Sequence, residues 1–113
     1  MMVEKTYKPL LMESIQVAVN IDKQRFIGFD GNYCADKAKA LGVSDVEMEQ
    51  GQFVPVAVNG ILLVKTAGAI VKGGKVSSDA NGYAVTATNG EVNGYAMDVS
   101  AGAGEIIRIV RGI

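Results

Sequence analysis

The chain writes one strand ending twice. Val56-Ala57-Val58-Asn59-Gly60-Ile61 is matched by Arg108-Ile109-Val110-Arg111-Gly112-Ile113, with Gly60 and Gly112 standing 52 positions apart. The same slide lays Val58 on Val110 and Gly42 on Gly94. Upstream, "GVSDVEMEQGQFVPVAVNGI" and "GYAMDVSAGAGEIIRIVRGI" share a layout: Gly, an apolar residue, Asp-Val (Asp45-Val46 and Asp98-Val99), a small polar turn, Gly51-Gln52 or Gly104-Glu105, then a strand ending Gly-Ile. One single-residue shift reconciles the two, and further up "DGNYCA" from Asp30 parallels "DANGYA" from Asp79. A repeated unit of about 50 residues does not close its own apolar face, so the second copy completes what the first begins.

The expected fold is therefore all-β, a small barrel or sandwich built from two similar units at approximately 15–61 and 65–113. With 113 residues the chain has room for one core. It is read as an N-terminal arm at 1–11 and a single β domain at 12–113. Fourteen glycines against two prolines suit many short strands joined by bends. Turn signals at Gly68, Gly73-Gly74, Asn81-Gly82, Asn89-Gly90, Asn93-Gly94, Gly102 and Gly104 recur at the spacing of a sandwich or barrel. Ile15, Val17, Val19 and Ile21 alternate as a half-buried strand does, Arg25–Phe29 runs into the Asp30-Gly31 turn, and Gln52–Lys65 is a third strand. Pro55 places that third strand at an edge, or turns its missing N–H away from a ladder. Residues 33–41, "YCADKAKAL", have helix-forming composition, but their counterpart Tyr83–Thr88 alternates and is β-branched, so the first copy is expected to be extended.

Several function classes lack their chemistry. Eleven basic and twelve acidic residues leave a net charge of −1 with no block of like charge, which argues against nucleic acid and against an electrostatic membrane surface. With no His and a single Cys, neither an internal disulfide nor the usual Cys/His zinc site can form, and the thiol of Cys34 lacks an imidazole base. Ala69–Ser77, "AIVKGGKVS", superficially resembles a phosphate-binding loop, but Ala69 replaces the first Gly and Val76 stands where the hydroxyl is required. Asp45, Glu47 and Glu49 fall on alternate positions, which on a strand makes a solvated acidic edge. No enzyme class and no cofactor is indicated. Lys5 and Lys8 precede the apolar Pro9–Met12, but that run is too short for a signal peptide and Glu13 breaks it, so synthesis in the cytoplasm is expected.

What remains is a contact surface. Tyr7, Pro9, Leu10, Leu11 and Met12 form an apolar cluster outside the repeat, and such clusters mark contact with a partner or a second subunit. The competing reading makes the same residues a first edge strand folded onto its own core. Tyr33, Tyr83 and Tyr95 are the stacking candidates for an alternative function, a small-ligand or carbohydrate-binding β module.

The run from Gly51 to Val85 and the segment "NGYAMDVSAGAGEIIRIVRGI" resemble a family of small tailed-bacteriophage capsid cement or head decoration proteins, long carried as a domain of unknown function. The likeness rests on Val58-Asn59-Gly60-Ile61, Ala67-Gly68-Ala69-Ile70, Asp79 to Gly82, Gly94-Tyr95-Ala96 and Gly104-Glu105, and covers Ile15 to Ile113. Some members carry a recombinase-like label, which the failed phosphate loop speaks against here. The resemblance implies a structural protein of a phage or prophage, made in the bacterial host cytoplasm. It implies binding to the major capsid protein on the outer surface of the assembled head, stabilising it, as a homo-oligomer, with homotrimer preferred over dimer.

Overall fold

The computed structural model describes residues 6–113, and among them there is no helix. Eight strands form one antiparallel sheet: β1 (Lys8–Gln16), β2 (Phe26–Ile27), β3 (Gly42–Ser44), β4 (Phe53–Lys65), β5 (Lys75–Ser78), β6 (Ala84–Thr86), β7 (Gly94–Ala96) and β8 (Ile106–Arg111). β4 organises it. β1 lies along Phe53–Ile61 on one edge, while on the other β3 meets Val56–Ala57 and β8 meets Gly60–Lys65. From β8 the ladder continues through β7 and β5 to β6, and a parallel bridge from Ala84 to Thr66 returns it to the end of β4. That path closes a small barrel.

The repeat is reproduced bond by bond. Val43 and Ser44 pair with Ala57 and Val56 as Tyr95 and Ala96 pair with Val110 and Ile109. Phe26 and Ile27 pair with Val43 and Gly42 as Lys75 and Val76 pair with Tyr95 and Gly94. The bridge Ile21–Met48 has its twin in Ile70–Ser100, and the Asn32 and Asn81 amides each donate to an Asp side chain two residues earlier. The cores match as well: Val17, Ile21, Ile27, Val54 and Val56 of the first unit correspond to Thr66, Ile70, Val76, Ile107 and Ile109 of the second, all buried.

Pairing also corrects the alignment. Because Val56 and Ile109 hold the same place in their ladders, Val110 corresponds to Ala57 rather than Val58, and Gly112 to Asn59 rather than Gly60. The two look-alike endings stand one residue out of phase. Residues 12–16 pair with 53–57 as 61–65 pair with 106–110, so β1 is the first unit's version of the second half of β4. The first unit thus begins at Met12 rather than Ile15 and ends near Asn59, where β4 passes directly into the second.

Two other expectations change, and a third is resolved. Lys8–Leu11, expected in an arm, are in β1; their backbone pairs although both faces of the strand are largely exposed, so no alternation announced it. Residues 33–41 are neither helix nor strand. They form an irregular segment with one bridge, Ile27–Tyr33, and a turn closed by the Ala38 amide on the Ala35 carbonyl. Of the two readings of Pro55, the edge placement fails and the other holds: it sits in the most paired strand, and its carbonyl accepts from Asp45 just past the end of β3, where no donor is needed from its nitrogen.

At Gly42 the chain crosses its neighbour so closely that a Cβ would strike the Ala57 carbonyl and lie 2.7 Å from Val56 Cγ1. Gly60 has φ +109°, and a Cβ there would strike the Lys8 carbonyl and lie 2.8 Å from the Leu10 nitrogen, forcing β1 away. Beside that point, along one edge of β4, β8 stops and β3 begins. The buried Arg111 fills the junction: Nη1 donates to the carbonyls of Leu41 (2.7 Å) and Val58 (2.8 Å), and Nη2 to that of Ala40.

Gly42→Ala is expected to cost about 2 kcal/mol or more by the steric conflict, whereas Gly102→Ala, which meets open space, should stay within about 0.5 kcal/mol. Arg111→Met leaves buried carbonyls without donors and should cost about 3 kcal/mol. Denaturant unfolding measures all three.

Candidate functional site

The apolar residues of the N-terminal segment are brought together on and beside β1. Apart from β4, no strand pairs with β1 among the described residues, so its outer edge offers a row of backbone donors and acceptors. The register slips between Pro9 and Leu11 and again before Met12, which leaves Leu10 without an opposite residue on β4. Leu10 is 83% exposed, Leu11 50% and Met12 40%; Pro9 is half-buried. Exposed leucines and a methionine on an edge strand cost solubility unless something covers them.

Tyr7 latches the start of this strand. Its hydroxyl donates to Asp45 Oδ1 at 2.7 Å, joining the segment to the end of β3, and the same hydroxyl oxygen lies 3.9 Å from Met12 Sδ. Burial, then the hydrogen bond to the Asp45 carboxylate, then that carboxylate's charge hold the phenol well above the ordinary tyrosine range. The acidic triplet is thereby divided: Asp45 serves Tyr7, while Glu47 and Glu49 line a shallow cavity with Asn20, Asp22 and Gln52. Among the described residues no group of three or more His, Cys, Asp or Glu side chains is placed to hold a metal ion.

The other candidates are structural. Cys34 is buried in the core, and burial pushes its thiol up, away from the reactive thiolate. Gly73 and Gly74 make a tight turn leading into β5, with no helix following to orient a phosphate. Tyr33 and Tyr83 do meet, but around a protein cation. The buried Arg25 lies 4.8 Å and 3.7 Å from their ring centroids, and it donates to the Tyr83 hydroxyl at 2.6 Å and to the Asn81 carbonyl at 2.8 Å. Tyr95 stands apart on β7, so the three tyrosines make no common stacking platform.

Sequence reasoning missed a second exposed apolar group, Val110 and Ile113 beside Tyr95, at 44%, 57% and 46% exposure. Val110 sits between Ile109 and Arg111, both buried, so the period of two on β8 was the available signal.

Because the phenol's pKa is raised in the folded state, its latch contributes stability that is present below pH 10 and lost as pH rises through the folded value. Near-ultraviolet titration should contain a late tyrosine phase, and Tyr7→Phe should remove it; an unchanged late phase would put the raised phenol elsewhere.

The family model described as phage cement protein matches residues 12–111. Among solved structures, the chain is similar to the one titled "The crystal structure of head fiber gp8.5 N base in bacteriophage phi29", with TM-score 0.77, 16% sequence identity, and coverage of 90% of this chain and 93% of that one. At that identity the likeness is one of fold. No curated protein sequence gives a significant match. A family match running from the first strand of the repeat to the last residue of β8, over an all-β fold shared with a phage head protein, makes this chain a member of the phage cement protein family, with a structural role at the capsid.

Proposed function

We propose that the protein binds the outer surface of an assembled phage head, against the major capsid protein, and holds neighbouring capsid subunits together. The observation that carries this reading is an edge strand bearing exposed Leu10 and Leu11, latched by Tyr7, within a chain of the cement family. Tyr7, Pro9, Leu10, Leu11 and Met12 are the contact residues. Burying a leucine or methionine side chain is worth about 1.5–3 kcal/mol relative to full exposure, so three partly exposed ones supply a modest contact per copy. Multiplicity makes up the difference: a homo-oligomer, trimeric in preference to dimeric because capsid sites often have local threefold character, engages several capsid subunits at once and gains avidity. Whatever binds only the assembled shell shifts the assembly equilibrium toward it, which is the physical content of cementing.

The role is mechanical rather than catalytic. What supports this is the absence of any His in the chain and the use of Cys34, Asp45, Tyr33 and Tyr83 in packing and latching. The protein is made in the bacterial host cytoplasm and ends on the capsid surface of the virion.

Co-sedimentation with mature heads tests the reading. Removing residues 1–11 would also remove part of β1, so the cleaner variant is Leu10→Ser/Leu11→Ser, at exposed positions. The native chain should pellet saturably at a fixed ratio per capsid subunit, and the variant at least about tenfold more weakly. Native protein that remains folded in the supernatant would overturn the capsid reading.

A further inference from the structure

Asparagine precedes glycine at four places in the chain: Asn59-Gly60, Asn81-Gly82, Asn89-Gly90 and Asn93-Gly94. The pairing matters chemically. Glycine has no side chain to shield its backbone nitrogen, so that nitrogen can attack the side-chain amide carbon of the preceding asparagine, provided that the backbone is free to turn and the nitrogen is not engaged in a hydrogen bond.

Three of the four pairs are held away from that geometry. Asn59 lies inside β4 opposite Leu11, and Gly60 is paired with Pro9 on one side and Arg111 on the other. Asn81 is exposed, but the Gly82 amide donates to the Asp79 carbonyl at 3.2 Å. The carbonyls of Asn81 and Gly82 are engaged too, by Arg25 Nη1 at 2.8 Å and by the Phe26 amide at 2.7 Å. Asn93 is 0% exposed, its Oδ1 accepting from the Ala40 amide and its Nδ2 donating to the Ala38 carbonyl, both at 2.9 Å.

Asn89-Gly90 escapes all of these restraints. The pair lies in a bend between β6 and β7 that belongs to no strand, and Asn89 is exposed. Among the described residues nothing accepts from the Gly90 amide or from Asn89 Nδ2. The Thr88 hydroxyl donates to Asn89 Oδ1 at 3.4 Å, and that oxygen is the one that gains charge when the carbon beside it is attacked.

We propose that Asn89 is a self-modification site, its side-chain amide hydrolysed by way of the Gly90 backbone nitrogen. The nitrogen gives up its proton to solvent and bonds to Asn89 Cγ; the bond from Cγ to Nδ2 breaks, and ammonia leaves with a proton taken from solvent, closing a cyclic imide. Water then adds to either imide carbonyl and opens the ring, leaving aspartate or isoaspartate at position 89. Amide and water become carboxylate and ammonium, and nothing is oxidised or reduced. The product carries a new negative charge, and the isoaspartate form also lengthens the main chain just before Glu91 and Val92. Those two residues hold the irregular 33–41 segment: the Glu91 amide donates to the Lys37 carbonyl at 3.0 Å, and Lys39 Nζ donates to the Val92 carbonyl at 2.8 Å. The modification therefore falls where the second unit grips the first, and it does not depend on capsid binding.

Mass spectrometry of the native chain, aged in mildly alkaline buffer and read residue by residue from fragment ions, tests the proposal. Asn89 should convert at least about tenfold faster than Asn59, Asn81 or Asn93, which react only through local opening. Chromatography should separate two products, aspartate and isoaspartate. In denaturant the four pairs should converge on similar rates, because the fold and not the dipeptide sets their order, and Asn89→Gln should lose the fast phase. The proposal is overturned by a folded chain in which another of the four converts as fast as Asn89, by an Asn89 that stays intact while the denatured chain converts at all four, or by a fast phase that survives Asn89→Gln. None of these outcomes touches the capsid reading, which co-sedimentation decides.

Discussion

One guanidinium holds the place where the sheet would otherwise come apart. β3 and β8 end against each other along one edge of β4, and carbonyls at such a junction have no strand opposite to satisfy them. Arg111 answers with a planar fork that reaches Ala40, Leu41 and Val58 at once, something a lysine point charge could not do. Burial pulls its pKa down to about 10, still far enough above neutrality that the side chain is charged and every donor is kept. Carbonyl dipoles do the work of a counterion. The penalty of burying that charge is offset only if the three partners stay in position, which ties the irregular 33–41 segment to the end of β8 and so fixes the two units relative to each other.

With that seam closed, β4 can belong to both units. It is the last strand of one and the first strand of the next, so the repeat is continuous in its backbone as well as in its sequence. The units have the same hydrogen-bond plan and the same barrel core, yet they differ where the plan does not require likeness. Phe26, Val43 and Ala57 are needed inside because the second unit covers them. Lys75, Tyr95 and Val110 are released from that demand and have changed character. Divergence between equivalent positions therefore marks which surfaces are internal and which are turned outward.

The outward surfaces suit a protein whose task is adhesion. Its polar chemistry is engaged in holding the fold: Arg25 between two tyrosines, Asp45 under Tyr7, Asp98 with Arg108 at 2.8 Å. What faces out along Leu10–Met12 of β1 is apolar side chain, on a strand edge that pairs with no second strand among the described residues, the two ingredients by which sheets join other chains. Membership in the cement family gives the chain a structural role at the capsid.

Read alone, the sequence determined that there are two units, that they are β, and that His-based chemistry is ruled out. Those properties are local: glycine spacing at 42 and 94 or 51 and 104, β-branched content, and the plain absence of His. The apolar cluster around Leu10 was equally visible, because exposure of that kind is written in composition. Tertiary structure alone decided the register, since look-alike endings at Gly60 and Gly112 satisfy the eye equally well one residue apart and only hydrogen-bond pairing tells them apart. It alone decided between an arm and an edge strand for Lys8–Met12, since both faces of β1 are wet there and leave no alternation, and it alone placed Arg111, which on a strand ending looks like any solvent-facing charge. A sequence pattern reports burial against one's own neighbours; pairing partners and the filling of a seam depend on residues far away in the chain, and these exist only once the chain has folded.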